Sequence, residues 1–189
     1  MLSLYISLRN QSYLMKSFVP MMCLAMICLA TSCKKNINIA NDENLTPQAK
    51  MESAAQTNLN NDLMLKLVND TRLAGCSCGT TKMPPVAGVT WNANLTLAAI
   101  TQSKYMLSIN KMQHESADGT SVGSRLTATG YLWKAVGENI ASGQTTELQV
   151  FNDWPKSEGH CKNMMNANFK EMGAARSGTF WTQVFAAKM

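Results

Sequence analysis

Apolar and polar positions change rhythm along the chain in a way that predicts a mixture of helices and strands in its C-terminal two-thirds. Leu59, Leu63, Leu67 and Val68 recur at helical spacing. A second helix is predicted from about Asn94, a candidate cap, through Leu95, Ala98, Ala99, Gln102, Tyr105, Met106 and Ile109, with Tyr105 and Met106 in the core. Thr146 and Gln149 have the spacing of a capping box ahead of Val150, Phe151 and Trp154, and Pro155 should end or kink that helix. Ser157 is placed to cap a short helix presenting His160. Three stretches read as strands: about Val136 to Ala141, Glu171 to Ala175 and Phe180 to Ala186. Helices and strands do not alternate regularly, which argues for an α+β class over a doubly wound sheet.

The front of the chain follows a different logic. Lys16 precedes an apolar run from Phe18 to Ala30, shorter than the ~20 residues a spanning helix requires and suited to a signal-peptide core. It ends Ala30-Thr31-Ser32-Cys33, small residues leading into a cysteine, which resembles a bacterial lipobox. On that basis residues 1–33 are a signal peptide, cleaved before Cys33, whose sulfur takes a lipid; Met15 is an alternative start. The expectation is an exported lipoprotein facing periplasm or exterior. The alternative is an ordinary signal peptide and a secreted product. Residues 34–58, rich in Asn, Gln, Thr and Ala, bury too little apolar surface to offset their ordering entropy and read as a flexible tether. A coil of that length reaches roughly 25–30 Å on average.

Residues 59–189 form the expected single domain, with twelve basic and nine acidic side chains, a net charge of +3 and no basic stripe. Nucleic-acid binding requires clustered cationic charge tracking phosphates, so no nucleic-acid partner is expected. Within the domain Cys76, Cys78 and Cys161 remain, an odd set that in an oxidising compartment implies one disulfide and one free thiol. A zinc site at Cys76-Ser77-Cys78 is disfavoured, because one intervening residue departs from the usual spacing of two to four.

Both histidines sit in local motifs: His114-Glu-Ser-Ala-Asp-Gly119 and Ser157-Glu-Gly-His160-Cys-Lys-Asn-Met-Met165, with Gly137-Glu-Asn-Ile-Ala-Ser-Gly143 between them. Together with Leu67-Val-Asn-Asp-Thr-Arg72, Val89-Thr-Trp-Asn-Ala-Asn-Leu95, Arg125, Gly130-Tyr131, Trp154 and Phe180-Trp-Thr-Gln-Val-Phe185, these resemble the CAP/SCP superfamily in its bacterial form. The family comprises cysteine-rich secretory, antigen 5 and pathogenesis-related 1 proteins. The resemblance implies a three-layer α-β-α sandwich with a central antiparallel sheet, in which His114, Glu138 and His160 converge on one cleft. It also favours a Cys78–Cys161 disulfide, with Cys76–Cys161 as the alternative. The family's usual site has two histidines and two acids, and divalent metals such as zinc are associated with it. In this chain Glu158 stands where the bacterial pattern has proline before Gly-His, and the second acid is open among Glu158, Asp153 and Glu147.

His114, Glu138 and His160 are therefore the candidate metal ligands, since imidazole nitrogen and carboxylate oxygen suit zinc and three protein ligands leave a position for water. They are equally the candidate catalytic groups of an acid/base pair. A serine hydrolase would use Ser116, Ser121 or Ser157, but none lies in a Gly-x-Ser-x-Gly elbow. A thiol enzyme would use Cys161, which a disulfide consumes. Three functions follow, because fold alone does not choose among them. One is an envelope module that binds a small ligand or envelope component; another is a metal-assisted or acid/base hydrolase of peptide, glycan or lipid; the last is a structural protein in which the site is a polar cluster.

Overall fold

The computed structural model describes residues 57–189; the signal segment, Cys33 and the tether up to residue 56 lie outside the described residues. Helix α1 (Asn61–Ala74) opens the fold, capped by the Asn60 side chain, which accepts from the Leu63 backbone N–H. A small hairpin follows, β1 (Cys76–Cys78) with β2 (Thr81–Met83). Then come β3 (Thr90–Trp91), α2 (Ala93–Ile109), α3 (Val122–Ala128), β4 (Trp133–Ser142), α4 (Glu147–Asp153), α5 (Glu158–Met164), β5 (Glu171–Ser177) and β6 (Phe180–Lys188).

The main sheet has the order β3-β5-β6-β4. β4, β5 and β6 are antiparallel, as expected, with the last strand, β6, between the other two, while the two-residue β3 pairs parallel to β5. Strand β6 is buried on both faces, because a helical layer covers each side. On one side Met64, Val68, Val150, Trp154 and Met164 from α1, α4, α5 and the turn after α4 pack against Met172, Ala174, Trp181 and Phe185. On the other, Leu95, Ala98, Ala99 and Leu126 from α2 and α3 pack against Ala175, Val184 and Ala186. This is the three-layer α-β-α sandwich. Gly173 allows the α2 layer to come this close: a Cβ there would stand 2.3 Å from the Thr96 backbone nitrogen.

Several local expectations shift. The buried face of α1 is Met64, Val68 and Arg72, with Leu63 and Leu67 only half-buried. The cap of α2 is Asn92, whose side chain accepts from the backbone N–H groups of Asn94 and Leu95, so Asn94 is already inside the helix. Thr146 caps α4 through the Gln149 N–H, but Gln149 reaches back to Thr145 instead of Thr146. Helix α4 gives way at Trp154 to a 3₁₀ turn containing Pro155, and Ser157 occupies the cap position of α5 without a side-chain bond. Thr57 and Asn58, assigned to the tether, are held on β5: Arg176 N–H donates to the Thr57 carbonyl and Asn58 Nδ2 to the Arg176 carbonyl.

The hairpin is joined to α5 by a Cys78–Cys161 disulfide, with Cα atoms 5.3 Å apart, leaving Cys76 as the free thiol among the described residues. Tying residues 83 positions apart removes about 4.5 kcal/mol of loop entropy from the unfolded chain in the chain-entropy account.

Candidate functional site

Side chains alternate along β4, so Val136, Glu138 and Ile140 face the α2/α3 layer while Asn139 faces the α5 side. Glu138 is thus driven into an apolar layer, its side chain only 2% exposed. An unpaired carboxylate there would be costly. Two partners remove that cost. Arg125 of α3, equally buried, donates from Nη2 to Oε2 at 2.5 Å, and His114 Nδ1 lies 2.9 Å from Oε1.

Arg125 organises the loop carrying His114. Its Nη1 donates to the carbonyls of His114 and Thr120 and to Ser116 Oγ, at 3.0, 2.9 and 3.0 Å. Ser116 donates onward to Gln102 Oε1, and Gln102 Nε2 closes on the Gln113 carbonyl. A continuous buried network therefore runs from α2 through the loop and α3 to the Glu138 carboxylate.

His114 stands at the mouth of this network, its side chain 55% exposed. The hydrogen bond to Glu138 pushes its pKa above the ordinary imidazole value, against a smaller opposing effect of burial. Because Nδ1 is committed to Glu138, Nε2 is the nitrogen left for a ligand. His160 arrives from the other side of β4. Its carbonyl accepts from Asn139 Nδ2, and Asn163 of the same helix donates to the Glu138 carbonyl and to Asn139 Oδ1. Among the described residues its ring makes no hydrogen bond. Burial, and then the positive charge of His114, hold its pKa below the usual value. The two imidazoles are within electrostatic reach of each other and are shifted in opposite directions.

His114 and Glu138 are in direct contact, and the backbone at His160 is fixed to the residue after Glu138. The donor atoms of the three do not all fall within 4.8 Å of one another; among the described residues that proximity belongs to Cys76, Cys78 and Cys161. The candidate second acids are engaged elsewhere: Glu158 with Lys162, Asp153 with Lys156 and Gln144, and Glu147 with the Asn60 backbone N–H. Ser116 is buried within the Arg125 network, Ser121 caps α3, and Cys161 is in the disulfide.

The model of the cysteine-rich secretory protein (CAP) family matches residues 65–185, most of the described domain. The chain belongs to the CAP family. The uncharacterized protein YkwD of Bacillus subtilis is 38% identical over 96 residues, covering 50% of this chain and 37% of that protein, so the chain spans well under half of its length. An extracellular SCP-domain protein of Bacillus anthracis superposes with a TM-score of 0.61 at 28% identity, over 76% of this chain and 44% of that one. An outer surface protein of Borrelia burgdorferi shares the fold at 16% identity and a TM-score of 0.59, over 68% of this chain and 92% of that one.

In this CAP domain the residue that sequence reasoning left without a role is Arg125. It appeared only as one matching fragment, yet it touches both the Glu138 carboxylate and the His114 backbone. A lone basic residue in the short apolar helix before β4 was the available signal. Gln102, Asn139 and Asn163 carried none, since amides look alike whether they bind water or backbone.

Proposed function

We propose that this CAP domain is an extracytoplasmic ligand-binding module whose cleft takes a divalent metal such as zinc between His114 Nε2 and His160, with Glu138 behind His114 as its orienting carboxylate. The observation that carries this assignment is the double engagement of Glu138. One oxygen holds His114 Nδ1 and the other holds a buried guanidinium. A metal on that carboxylate would have to share an oxygen already holding His114 or Arg125 and would sit beside the Arg125 cation. The arrangement instead matches the carboxylate–histidine–metal relay, in which a ligating imidazole donates its other N–H to a carboxylate. Two neutral imidazoles are suitable zinc donors, and water would complete the shell. The metal would supply a Lewis-acidic point that selects a small ligand or envelope component bearing an oxygen donor.

Export and a lipid anchor at Cys33 belong to the same proposal. Their support is the signal-like N-terminus together with relatives described as extracellular or outer-surface proteins. Among the described residues no helix is long and apolar enough to cross a membrane.

The opposed imidazole shifts favour one second reading, an acid/base hydrolase. A protonated His114 would serve as acid and a neutral His160 as base, since groups whose environments separate their pKa values take complementary roles.

Zinc calorimetry on the oxidised full chain tests the binding proposal. One-to-one binding that disappears in His114→Ala and in His160→Ala, and weakens as pH falls and protons compete for imidazole, is the expected result. Binding unaffected by either substitution refutes it. Hydrolysis of peptide, glycan or lipid probes that is lost in both variants, with or without zinc, would move the assignment to the acid/base reading.

A further inference from the structure

The spacing of Cys76 and Cys78 looks wrong for a metal site only if both lie on a loop or helix. They lie on strand β1, paired Cys76 with Met83 and Cys78 with Thr81, and residues two apart on a strand project to the same face. That face meets Cys161 of α5. Cys76 Sγ lies 3.5 Å from Cys161 Sγ and 3.9 Å from Cys78 Sγ. Three sulfurs from two elements, 83 to 85 residues apart in sequence, therefore converge on one point.

Two chemistries could use that convergence, and the geometry separates them. Attack of the Cys76 thiolate on the disulfide requires approach along the S–S axis, because the leaving sulfur departs opposite the nucleophile. The three separations instead place Cys76 beside the bond, close to a right angle at Cys161. Burial also keeps the Cys76 thiol protonated by raising its pKa. Exchange is poorly arranged. A metal has the opposite requirement. Zinc–thiolate bonds of about 2.3 Å in a tetrahedron put neighbouring sulfurs about 3.8 Å apart. Two of the three edges, at 3.5 and 3.9 Å, already have that length, and only the bonded Cys78–Cys161 pair must open.

We propose that Cys76, Cys78 and Cys161 form a three-thiolate site for zinc that exists only when the Cys78–Cys161 disulfide is reduced. This site is separate from the histidine cleft and does not rest on it. A dithiol reductant supplies two electrons and two protons, becomes a cyclic disulfide itself, and leaves three protein thiols. The incoming zinc displaces their protons and binds three thiolates, with water in the fourth position. Cys76 is half-exposed and provides the entry, while Met83, Val86 and Met165 wall the cluster with apolar, polarisable side chains. The disulfide and the metal would then be alternative cross-links between the hairpin and α5, so a reduced chain that binds zinc regains the tie it lost.

Cobalt(II) serves as the spectroscopic probe for zinc. The full chain is used with Cys23, Cys28 and Cys33 changed to serine and His114 and His160 to alanine, so that no other thiol or imidazole competes. In the reduced protein one cobalt per chain should give a thiolate-to-metal charge-transfer band, displaced by zinc and absent from the oxidised protein. Adding Cys76→Ser should weaken cobalt binding at least tenfold, yet leave the thermal unfolding of the oxidised protein unchanged. Circular dichroism of the reduced chain with and without zinc supplies a second readout, with a higher melting temperature expected in zinc. The proposal is overturned if the reduced chain gives no charge-transfer band, if Cys76→Ser binds as tightly as its parent, or if reduction unfolds the chain and zinc does not restore it.

Discussion

Two arginines are buried on opposite sides of the central sheet, and they solve the same electrostatic problem differently. Arg72, on the α1 side, is fully buried without a carboxylate. Its Nε donates to the Ala87 carbonyl, its Nη1 to those of Met164 and Asn166, and its Nη2 to that of Phe169. All three nitrogens are used, and the partners are backbone dipoles of the β2–β3 connection, the last residue of α5 and the α5–β5 connection. Arg125, on the α2 side, meets a carboxylate that itself holds a solvent-facing imidazole, and among the described residues its Nε has no hydrogen-bond partner. Arg72 is a clip for the fold, whereas Arg125 sets the position of Glu138 and the His114 loop. Burial of charge alone does not mark a functional site; the chain of partners leading from it to solvent does.

The largest effect is expected at Arg125. Arg125→Leu strands Glu138 in an apolar layer and should cost about 3–5 kcal/mol in chemical denaturation. The double variant Arg125→Leu/Glu138→Leu should recover most of that loss, because an apolar replacement of a whole buried pair is often near neutral. Arg72→Leu should cost about 3 kcal/mol by leaving several buried carbonyls unmet, and no single second substitution should rescue it. Recovery of Arg72→Leu by one partner change would show that the two arginines are not different in kind.

Smaller effects sharpen the same contrast. Glu138→Gln keeps the size of the side chain but weakens its hold on His114, and should lower zinc affinity about 10–100-fold without abolishing it. Arg72→Lys, if folded, should leave zinc affinity unchanged. The smallest effect is the pH dependence of stability. His114 has a raised folded-state pKa, so its stabilising contribution is complete below the unfolded value near 6.5 and is lost as pH rises through the folded value. His160 is shifted downward, so stability rises with pH from its folded value up to the unfolded one, on the acid side of the His114 window. Denaturation of His160→Ala from pH 5 to 9 should show a shallow decline with rising pH that is missing in His114→Ala/His160→Ala. Because His114 is largely exposed, solvent screening keeps the amplitude small.

Where one physical signal dominated, the sequence was enough. The three long strands were legible because β-branched, aromatic and small residues run between clear turn signals, and the ends moved by only a few residues. Helix α1 was legible in existence but not in orientation: its leucines suggested a stripe, while the buried face runs through Arg72, a residue type that pattern analysis assigns to solvent. Strand β3 is two residues long and has no periodicity to detect. Asn92 and Asn94 are equally good caps by composition, and the Asn92 hydrogen bonds decide between them. At the site, His114, Glu138 and His160 stood out because histidines are rare in this chain and lie in matched motifs. What could not be read was the direction in which Glu138 spends its oxygens, since Arg125 is thirteen residues away in sequence and reaches it only after α3 folds against β4. Likewise the Cys-Ser-Cys spacing changes meaning once β1 is known to be a strand.

In the proposed site Glu138 sits behind His114 and does not itself take the metal. Anomalous scattering at the zinc edge from crystals of the oxidised full chain grown with zinc tests it directly. Zinc is expected about 2.0–2.1 Å from His114 Nε2 and from a ring nitrogen of His160, with the His114 Nδ1–Glu138 hydrogen bond intact. Zinc bonded to a Glu138 oxygen, or an anomalous peak away from both imidazoles, would contradict it.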